Sequence, residues 1–396
     1  VGSEMCIRDR HCSKQSKEKF FRVSLLSTNK KNLICTKGSS LKKGLPFFNQ
    51  SETTHMKRIL LSFVLLLSLY ALRAQDACLN DITNTLKERI SLAGYAQVGY
   101  AYDDAGDKTS NSFDLKRVIF MARGKITDKW SCYFMYSFAN TGKILEAYTE
   151  YQFLPQLTAR IGQFKTMYTI ENPMSPCFVE LINCYSQAVN YLAGINGSDP
   201  LYGSTSGRDM GILIYGDLFD KLLSYNLAVM NGQGINLKDK NNQKDIVGSL
   251  MVNPLEWLSV GGSFIKGKGC AVAASTLNPD IAIGQTYTRN RWSAGATIQT
   301  KPVSLRTEYL AGKDGHVKSD GYYATASVHV FPKIDLVASY DYFNKNKAAA
   351  DKQTNYVAGL QWWFYPKCRV QAQYTYCDPK KGESWNLVQA QLQVRF

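Results

Sequence analysis

Apolar and polar residues alternate along most of the chain from residue 90 to residue 396. The last stretch, VQAQLQVRF at 388–396, alternates without a break and ends on Phe396. Alternation with a period of two predicts β-strands that have one apolar and one polar face. The pattern marks sixteen candidate strands, at 90–102, 112–126, 130–139, 144–154, 157–164, 207–217, 221–231, 243–253, 256–266, 285–300, 302–312, 321–331, 334–344, 352–365, 367–377 and 384–396.

The candidate strands are long, and the connections between them alternate in length. Most candidates have about 10 to 15 residues, whereas strands of globular proteins have about five or six. Tight turns are expected near 128 and at 155–156, 220–221, 253–254, 301–302, 332–333 and 366–367. Longer loops are expected at 103–111, 140–143, 165–206, 232–242, 267–284, 313–320, 345–351 and 378–383. Short turns at one rim and longer loops at the other are typical of a transmembrane β-barrel.

The cost of placing charge in lipid assigns the faces of the strands. In 112–126, Arg117, Arg123 and Lys125 share one face. A Lys or Arg facing lipid at mid-depth costs about 2–4 kcal/mol, so this face is expected to line the lumen. A soluble β-sandwich would also alternate, but it leaves the strand length and the aromatic residues beside the tight turns unexplained. We therefore predict an all-β fold, a 16-stranded antiparallel transmembrane β-barrel over 90–396.

A separate apolar run precedes the alternating region. MKRILLSFVLLLSLYALRAQD begins at Met56 with two basic residues, and its apolar core is about 14 residues long. This is shorter than the roughly 20 residues of a membrane-spanning helix, so 56–74 is predicted to be a secretory signal peptide. Because a signal peptide begins a protein, we expect 1–55 to be a mis-annotated upstream extension. A genuine unstructured tail is the alternative, and 75–89 is expected to be a short N-terminal segment.

The net charge of +15 is concentrated near the N-terminus. Residues 1–55 carry +7 and residues 56–74 carry +3, which leaves +5 for residues 75–396. A nucleic-acid interface would place a basic face in the folded part, so no nucleic-acid partner is predicted.

Seven of the ten cysteines lie after residue 75, scattered and without CxxC spacing. This pattern gives no metal site and no cofactor site. Cys177 and Cys184 can pair within one loop in an oxidising compartment.

Three segments and the terminal residue resemble the phosphate-selective porin O and P family. They are GYAQVGYAY (94–102), SFDLKRVIFMARGKI (112–126), EAYTEYQFLPQLTARIGQFK (146–165) and Phe396. The resemblance implies a sixteen-stranded channel in the outer membrane of a Gram-negative bacterium, commonly a homotrimer, with its third loop folded into the pore. The alternating terminal strand that ends on Phe396 also resembles the C-terminal signal by which outer-membrane barrels are recognised by the barrel insertion machinery, which makes Phe396 the expected assembly signal; a coincidental edge strand is the alternative.

The face assignments give a set of candidate pore-lining residues. They are Arg117, Arg123, Lys125, Glu146, Glu150, Arg160, Lys165, Arg289, Arg291, Arg306, Glu308 and Arg369. With Arg395, Asp335 and Asp341 added and Lys165 assigned to the long loop, basic wall residues outnumber acidic ones nine to five. This balance favours small anionic or polar solutes without demanding phosphate selectivity.

The long loop 165–206 is the candidate constriction loop. It carries Glu171, Glu180 and Asp199. If it folds inward, these carboxylates oppose the basic wall and create a transverse field. A loop exposed at the surface is the alternative.

Catalysis is not expected. A serine nucleophile needs a neighbouring histidine, and the part after the signal peptide has only His316, in a charged loop, and His329, on a wall strand. We predict a passive diffusion channel embedded in outer-membrane lipid. The alternative is a substrate-binding or adhesive barrel that acts through its external loops.

Overall fold

The computed structural model describes residues 88–106, 109–139 and 141–396. The predicted segments 1–55 and 56–74, and most of 75–89, lie outside the described residues. Within the described ranges, no helix is both long enough and apolar enough to cross a membrane.

The described residues form one closed antiparallel barrel of sixteen strands, each paired with its neighbours along the chain, with β1 pairing to β16. The strands are β1 (Ile90–Asp103), β2 (Ser110–Lys125), β3 (Trp130–Ser137), β4 (Lys143–Leu154), β5 (Leu157–Lys165), β6 (Arg208–Leu218), β7 (Leu223–Met230), β8 (Asp245–Leu255), β9 (Leu258–Cys270), β10 (Thr286–Gln299), β11 (Val303–Asp314), β12 (Val317–Phe331), β13 (Ile334–Asn346), β14 (Asp351–Tyr365), β15 (Cys368–Pro379) and β16 (Trp385–Arg395). One helix, α1 (Gln187–Leu192), lies between β5 and β6. The predicted fold class is confirmed.

The two faces of the terminal strand differ sharply in exposure. Leu392 on the outer face is 43% exposed, whereas Gln391 and Gln393 on the inner face are 2% and 1% exposed. Apolar residues on the outside and amides on the inside are the arrangement that lipid outside and water inside require. Aromatic residues beside the tight turns are also exposed on the outer surface, namely Trp130, Phe153, Phe219, Trp257, Phe331 and Tyr365.

The barrel closes at a seam between its first and last strands. The register runs from Tyr95 opposite Arg395 to Asp103 opposite Leu387. Beyond it, the Gly94 amide donates to the Phe396 carbonyl at 3.4 Å, and the Phe396 amide donates to the Gly94 carbonyl at 3.1 Å. Closure leaves no unpaired strand edge to face hydrocarbon.

Gly94 makes room for the Phe396 ring. A Cβ atom at residue 94 would lie 2.6 Å from Cζ of Phe396 and 2.8 Å from the Ile119 carbonyl oxygen. We expect Gly94→Val to displace the ring and to lower the free energy of unfolding by about 1–3 kcal/mol. Urea unfolding in detergent micelles measures this, with Ala96→Val as the matched control. Equal stability of the two variants would show that the ring does not need this space.

Two predicted connections were wrong. The loop expected at 313–320 is only the Gly315-His316 turn, because Lys313 and Asp314 extend β11 with one side chain facing outward and one inward. The turn expected at 253–254 lies at 256–257, and Pro254 belongs to β8. The β8–β9 register shifts between Val252 and Leu255, and a proline without an N–H group is tolerated at such an irregularity.

Candidate pore constriction

The connection between β5 and β6, residues 166–207, contacts inward-facing side chains of distant strands. The Thr169 amide donates to Oγ of Ser263 at 2.8 Å. The Ile182 amide donates to Oε1 of Gln373, also at 2.8 Å. Because Ser263 and Gln373 are buried wall residues of β9 and β15, this loop reaches across the lumen.

Helix α1 packs against β11, β12 and β13 at positions where the wall has no side chain. A Cβ atom at Gly312 would lie 2.5 Å from Cδ2 of Leu192, and one at Gly321 would lie 2.8 Å from Cβ of Ala188. The helix therefore fits closely against the wall because glycine occupies these two positions. The Gln187 amide also donates to Oδ2 of Asp341 at 2.9 Å.

Two loop carboxylates pair with one wall cation. Nη2 of Arg306 lies 3.1 Å from Oε1 of Glu171 and 2.9 Å from Oε2 of Glu180. Burial alone would raise the pKa of Glu180, but the Arg306 guanidinium holds it below its usual range. Glu308 also contacts the loop, since its carboxylate accepts from the Ile170 amide at 3.0 Å. These contacts fasten the loop to β11.

Five further wall cations have a carboxylate partner on the wall itself, and one of them is Arg123, which lies 3.5 Å from Glu150. Arg160 pairs with Glu150 at 2.7 Å, Arg208 with Glu146 at 2.9 Å, and Arg291 with Asp314 at 2.7 Å. Arg289 forms an ion pair with Asp245. Sequence reasoning missed Arg208, Asp245 and Asp314. Including them reduces the excess of positive charge on the wall.

Other wall cations are held by amides. Nη1 of Arg117 donates to Oε1 of Gln97 at 2.9 Å. Nε2 of Gln97 and Nη2 of Arg369 both donate to Oε1 of Gln393, at 2.8 and 3.2 Å. Among the ion pairs of the described residues, none involves Arg117, Arg369 or Arg395. The seam side of the barrel therefore keeps positive charge that has no carboxylate partner.

A small cavity remains between the loop and the wall near the seam. It has a volume of about 30 Å³, and its charged lining residues are Arg123, Lys165, Arg208, Arg395 and Glu146. Nζ of Lys165 donates to the Met174 carbonyl at 2.6 Å, so this amine also fixes the loop. Arg208 pairs with Glu146 and Arg123 with Glu150 at 3.5 Å, so Lys165 and Arg395 are the basic lining residues without a carboxylate partner in the described residues.

The remaining candidate residues lie elsewhere. Lys125 is exposed at the end of β2 beside a tight turn. Asp199 contacts the β9–β10 connection, where its carboxylate accepts from Oγ of Ser275 at 3.0 Å. The structure therefore does not bring Asp199 to the wall cations that Glu171 and Glu180 contact.

The cysteines and histidines form no reactive constellation in the part of the chain that the structure describes. Cys177 and Cys184 are both free thiols. His316 pairs with Asp280 at 2.9 Å and His329 with Asp335 at 2.7 Å. No cluster of metal-ligating side chains occurs among these residues.

A protein-family model matches the N-terminal third of the barrel. The family model "Phosphate-selective porin O and P" matches residues 80–189. The resemblance to this porin family is confirmed over that segment. The match includes β1 to β5 and the loop as far as the start of α1. A search of curated protein sequences found no match.

Solved structures extend the likeness in fold to the whole barrel. An anion-selective porin from Comamonas acidovorans has a TM-score of 0.59 at 14% identity, covering 78% of this chain and 99% of that one. OprB of Pseudomonas putida has a TM-score of 0.61 at 11% identity, covering 79% and 96%. The outer-membrane channel DcaP of Acinetobacter baumannii has a TM-score of 0.55 at 11% identity, covering 78% and 97%. The chain has the fold of outer-membrane porins.

Glu150 stabilises the barrel wall beside the small cavity near the seam. Its carboxylate accepts hydrogen bonds from Arg160 at 2.7 Å and from Tyr215 at 2.9 Å. Because Arg160 is 1% exposed, Glu150→Gln leaves a buried cation without a counter-ion, and we expect a loss of about 3 kcal/mol in the free energy of unfolding. Urea titration in micelles measures it, with Asp217→Asn as the control. A loss no larger than that of the control would show that water already compensates Arg160.

Proposed function

We propose that this chain is an outer-membrane porin, a passive diffusion channel for small hydrophilic solutes with a mild preference for anions, phosphate among them. The observation that carries the proposal is the charge around the small cavity near the seam, where Lys165 and Arg395 have no carboxylate partner among the described residues, while Arg208 pairs with Glu146 and Arg123 with Glu150. A cationic constriction raises the local concentration of anions and lowers that of cations.

The architecture supports a channel. Barrels with sixteen or more strands leave an aqueous interior, whereas eight-stranded barrels are filled by their own side chains. Loop 166–207 narrows this interior through contacts with β9, β11 and β15. One protein of similar fold is described as an anion-selective porin, which agrees with the sign of the charge here.

The paired charges argue for a mild preference. Arg160, Arg289, Arg291 and Arg306 each have a carboxylate within salt-bridge distance, so they add little net field. The selectivity then depends on the seam side, where Arg117 and Arg395 remain without such partners. A homotrimer, delivered to the membrane by the barrel insertion machinery through Phe396, completes the proposal.

Planar-bilayer reconstitution tests the proposal. Purified protein is expected to give stepwise ion currents, and vesicles that contain it should swell in solutions of small neutral sugars. Protein denatured before reconstitution is the control for leakage. A silent bilayer and vesicles that do not swell would instead indicate an adhesive or substrate-binding barrel.

A further inference from the structure

Lysines form a row on the outer surface of the barrel near the rim that carries the long loops. Lys266 on β9 lies directly opposite Asn290 on β10, and Asn290 lies opposite Lys313 on β11. Lys313 in turn lies opposite Lys318 on β12. The Lys347 amide donates to the Lys318 carbonyl at 2.9 Å, which extends the row. We call Lys266, Lys313, Lys318 and Lys347 the lysine row.

The lysine row faces away from the lumen. Its neighbours along the strands, Ile265, Arg291 and Asp314, point inward and are buried, whereas Lys266, Lys313 and Lys318 are exposed. Phe264 and Trp292 lie two positions along their strands from Lys266 and Asn290, towards the middle of the barrel. They pair across β9 and β10 on the outer face and are 43% and 50% exposed.

This position corresponds to the depth of lipid headgroups. Aromatic residues on the outer face of a barrel mark the boundary between hydrocarbon and headgroups. The lysine row lies beyond Phe264 and Trp292 on the side of the long loops, which in such barrels is the cell exterior. Its amines are therefore placed at the outer-leaflet headgroups.

The positive charge of the row is not balanced by the protein. Asp320 is the carboxylate next to the row, and it pairs with Nζ of Lys347 at 2.5 Å and with the Tyr309 hydroxyl at 3.0 Å. In the described ranges, Lys266, Lys313 and Lys318 form no ion pair. Like charges directly opposite each other on adjacent strands destabilise a sheet, so an external anion at Lys313 and Lys318 would relieve their repulsion.

A depression of about 450 Å³ lies at the row. Its lining includes all four lysines together with Asn290 and Trp292. Each ammonium group supplies three donors and no acceptor, which suits an anion rich in oxygen. The indole of Trp292 offers an apolar surface on the side of the hydrocarbon.

We propose that the lysine row binds the phosphate groups of an anionic lipid of the outer leaflet. Lys266, Lys313 and Lys318 contact the phosphate oxygens, Asn290 donates from its amide, and Phe264 and Trp292 contact the acyl chains. The proposal rests on the proposed location in the outer membrane, and it does not depend on conduction through the lumen.

The test measures quenching of Trp292 by lipid. The full chain is reconstituted in phosphatidylcholine vesicles that contain a small fraction of phosphatidate with brominated acyl chains, and the Trp292→Phe variant identifies the contribution of this indole. We expect phosphatidate to quench Trp292 more than brominated phosphatidylcholine does, with a relative association constant on the order of tenfold. The double variant Lys313→Gln/Lys318→Gln should lower this ratio to about one, because it removes two of the three amines that contact the phosphate oxygens.

Lys301→Gln/Lys333→Gln is the matched control, since both residues are exposed at the opposite rim, and it should retain the wild-type ratio. Equal quenching by the two lipids in the wild type would overturn the proposal. Displacement of phosphatidate by millimolar inorganic phosphate would also overturn it, since the site would then bind free phosphate. Disulfide cross-linking between protomers of a Lys313→Cys variant would overturn it as well, because the row would then be a protomer interface.

The same preparations separate this proposal from the proposed function. Lys313→Gln/Lys318→Gln should conduct like the wild type, because the row lies outside the lumen. A conducting channel without lipid preference contradicts only the lysine row, and lipid preference in a silent protein contradicts only the channel.

Discussion

A chain that lacks residues 385–396 is expected to lose the barrel altogether. Removing β16 leaves β1 and β15 as open edges, whose ladders run from Tyr95 to Asp103 and from Arg369 to Cys377. Each unpaired backbone group in hydrocarbon costs several kcal/mol. The summed cost over both edges exceeds the free energy of unfolding of an ordinary folded protein, which is about 5–15 kcal/mol. The seam also includes the contact of Asn386 Nδ2 with Asp104 Oδ2 at 2.9 Å.

Electrophoretic mobility before and after heating measures this loss, because closed barrels migrate as compact species until heated. The electrophoretic mobility of the wild type should change on heating, and that of the truncated chain should not. Replacing the mostly exposed residues 237–243 by glycine and serine is the control for a change of similar extent, and it should keep the shift. A heat-dependent shift in the truncated chain would contradict closure through β16.

Removal of Phe396 alone separates its two roles. The deletion removes only the last pair of bonds with Gly94, so refolding in detergent should still yield a barrel. If Phe396 is the assembly signal, the amount inserted in cells should fall much more than the yield of refolding in vitro. Equal losses in both settings would show that Phe396 acts only in the seam.

Replacing residues 176–192 by a glycine-serine segment of equal length is expected to increase single-channel conductance severalfold. The replacement removes α1 and the Glu180 carboxylate, and it releases the backbone at 177 and 179, whose carbonyls accept from Gln393 at 3.2 Å and Arg369 at 2.8 Å. A flexible segment has no apolar residues to pack on the wall, so the lumen widens towards the bore of an unobstructed barrel.

Single-channel recording at fixed salt concentration tests this expectation. The control is again the replacement of 237–243, which should conduct like the wild type. The double variant Glu171→Gln/Glu180→Gln tests the fastening itself, because it leaves buried Arg306 without its two carboxylates. It should give a noisier current with frequent larger steps. Conductance that stays at the wild-type level in both loop variants would contradict a constricting loop.

Alternation predicted the barrel well because each wall strand faces two different solvents. In β16 every second residue faces lipid, and this requirement is local enough to be visible in the sequence. The same rule gave the inward direction of Arg117 in β2, which the hydrogen bond to Gln97 agrees with.

The rule fails where the chain leaves the membrane or departs from regular pairing. Arg208 and Asp209 are adjacent, yet both are buried, because Asp209 accepts from the Gly232 amide at 2.5 Å while Arg208 pairs with Glu146. Asp245 and Asp314 lie at strand ends, where the sequence alone indicates a solvated loop.

The site is harder to predict than the wall because its contacts are distant in sequence. Ile182 and Gln373, which share a hydrogen bond, are 191 residues apart. The sequence identified Glu171, Glu180 and Asp199 as one acidic set, but only the fold separates the two that contact Arg306 from the one that contacts Ser275. The lysine row could not be predicted either, because it depends on the cross-strand register that places residues of β9, β10, β11 and β12 directly opposite one another.

The reversal potential in a salt gradient tests the central claim most directly. With potassium chloride at unequal concentrations across a planar bilayer, the wild type is expected to show a potential of the sign given by faster chloride permeation. Arg117→Glu and Arg123→Glu should each move that potential towards the potassium side, because both replace positive by negative charge on the lumen wall near the seam, whereas Lys301→Glu at the rim of the tight turns should leave it unchanged. A wild type that favours potassium, or arginine variants that do not move the potential, would contradict an anion-favouring constriction at the seam.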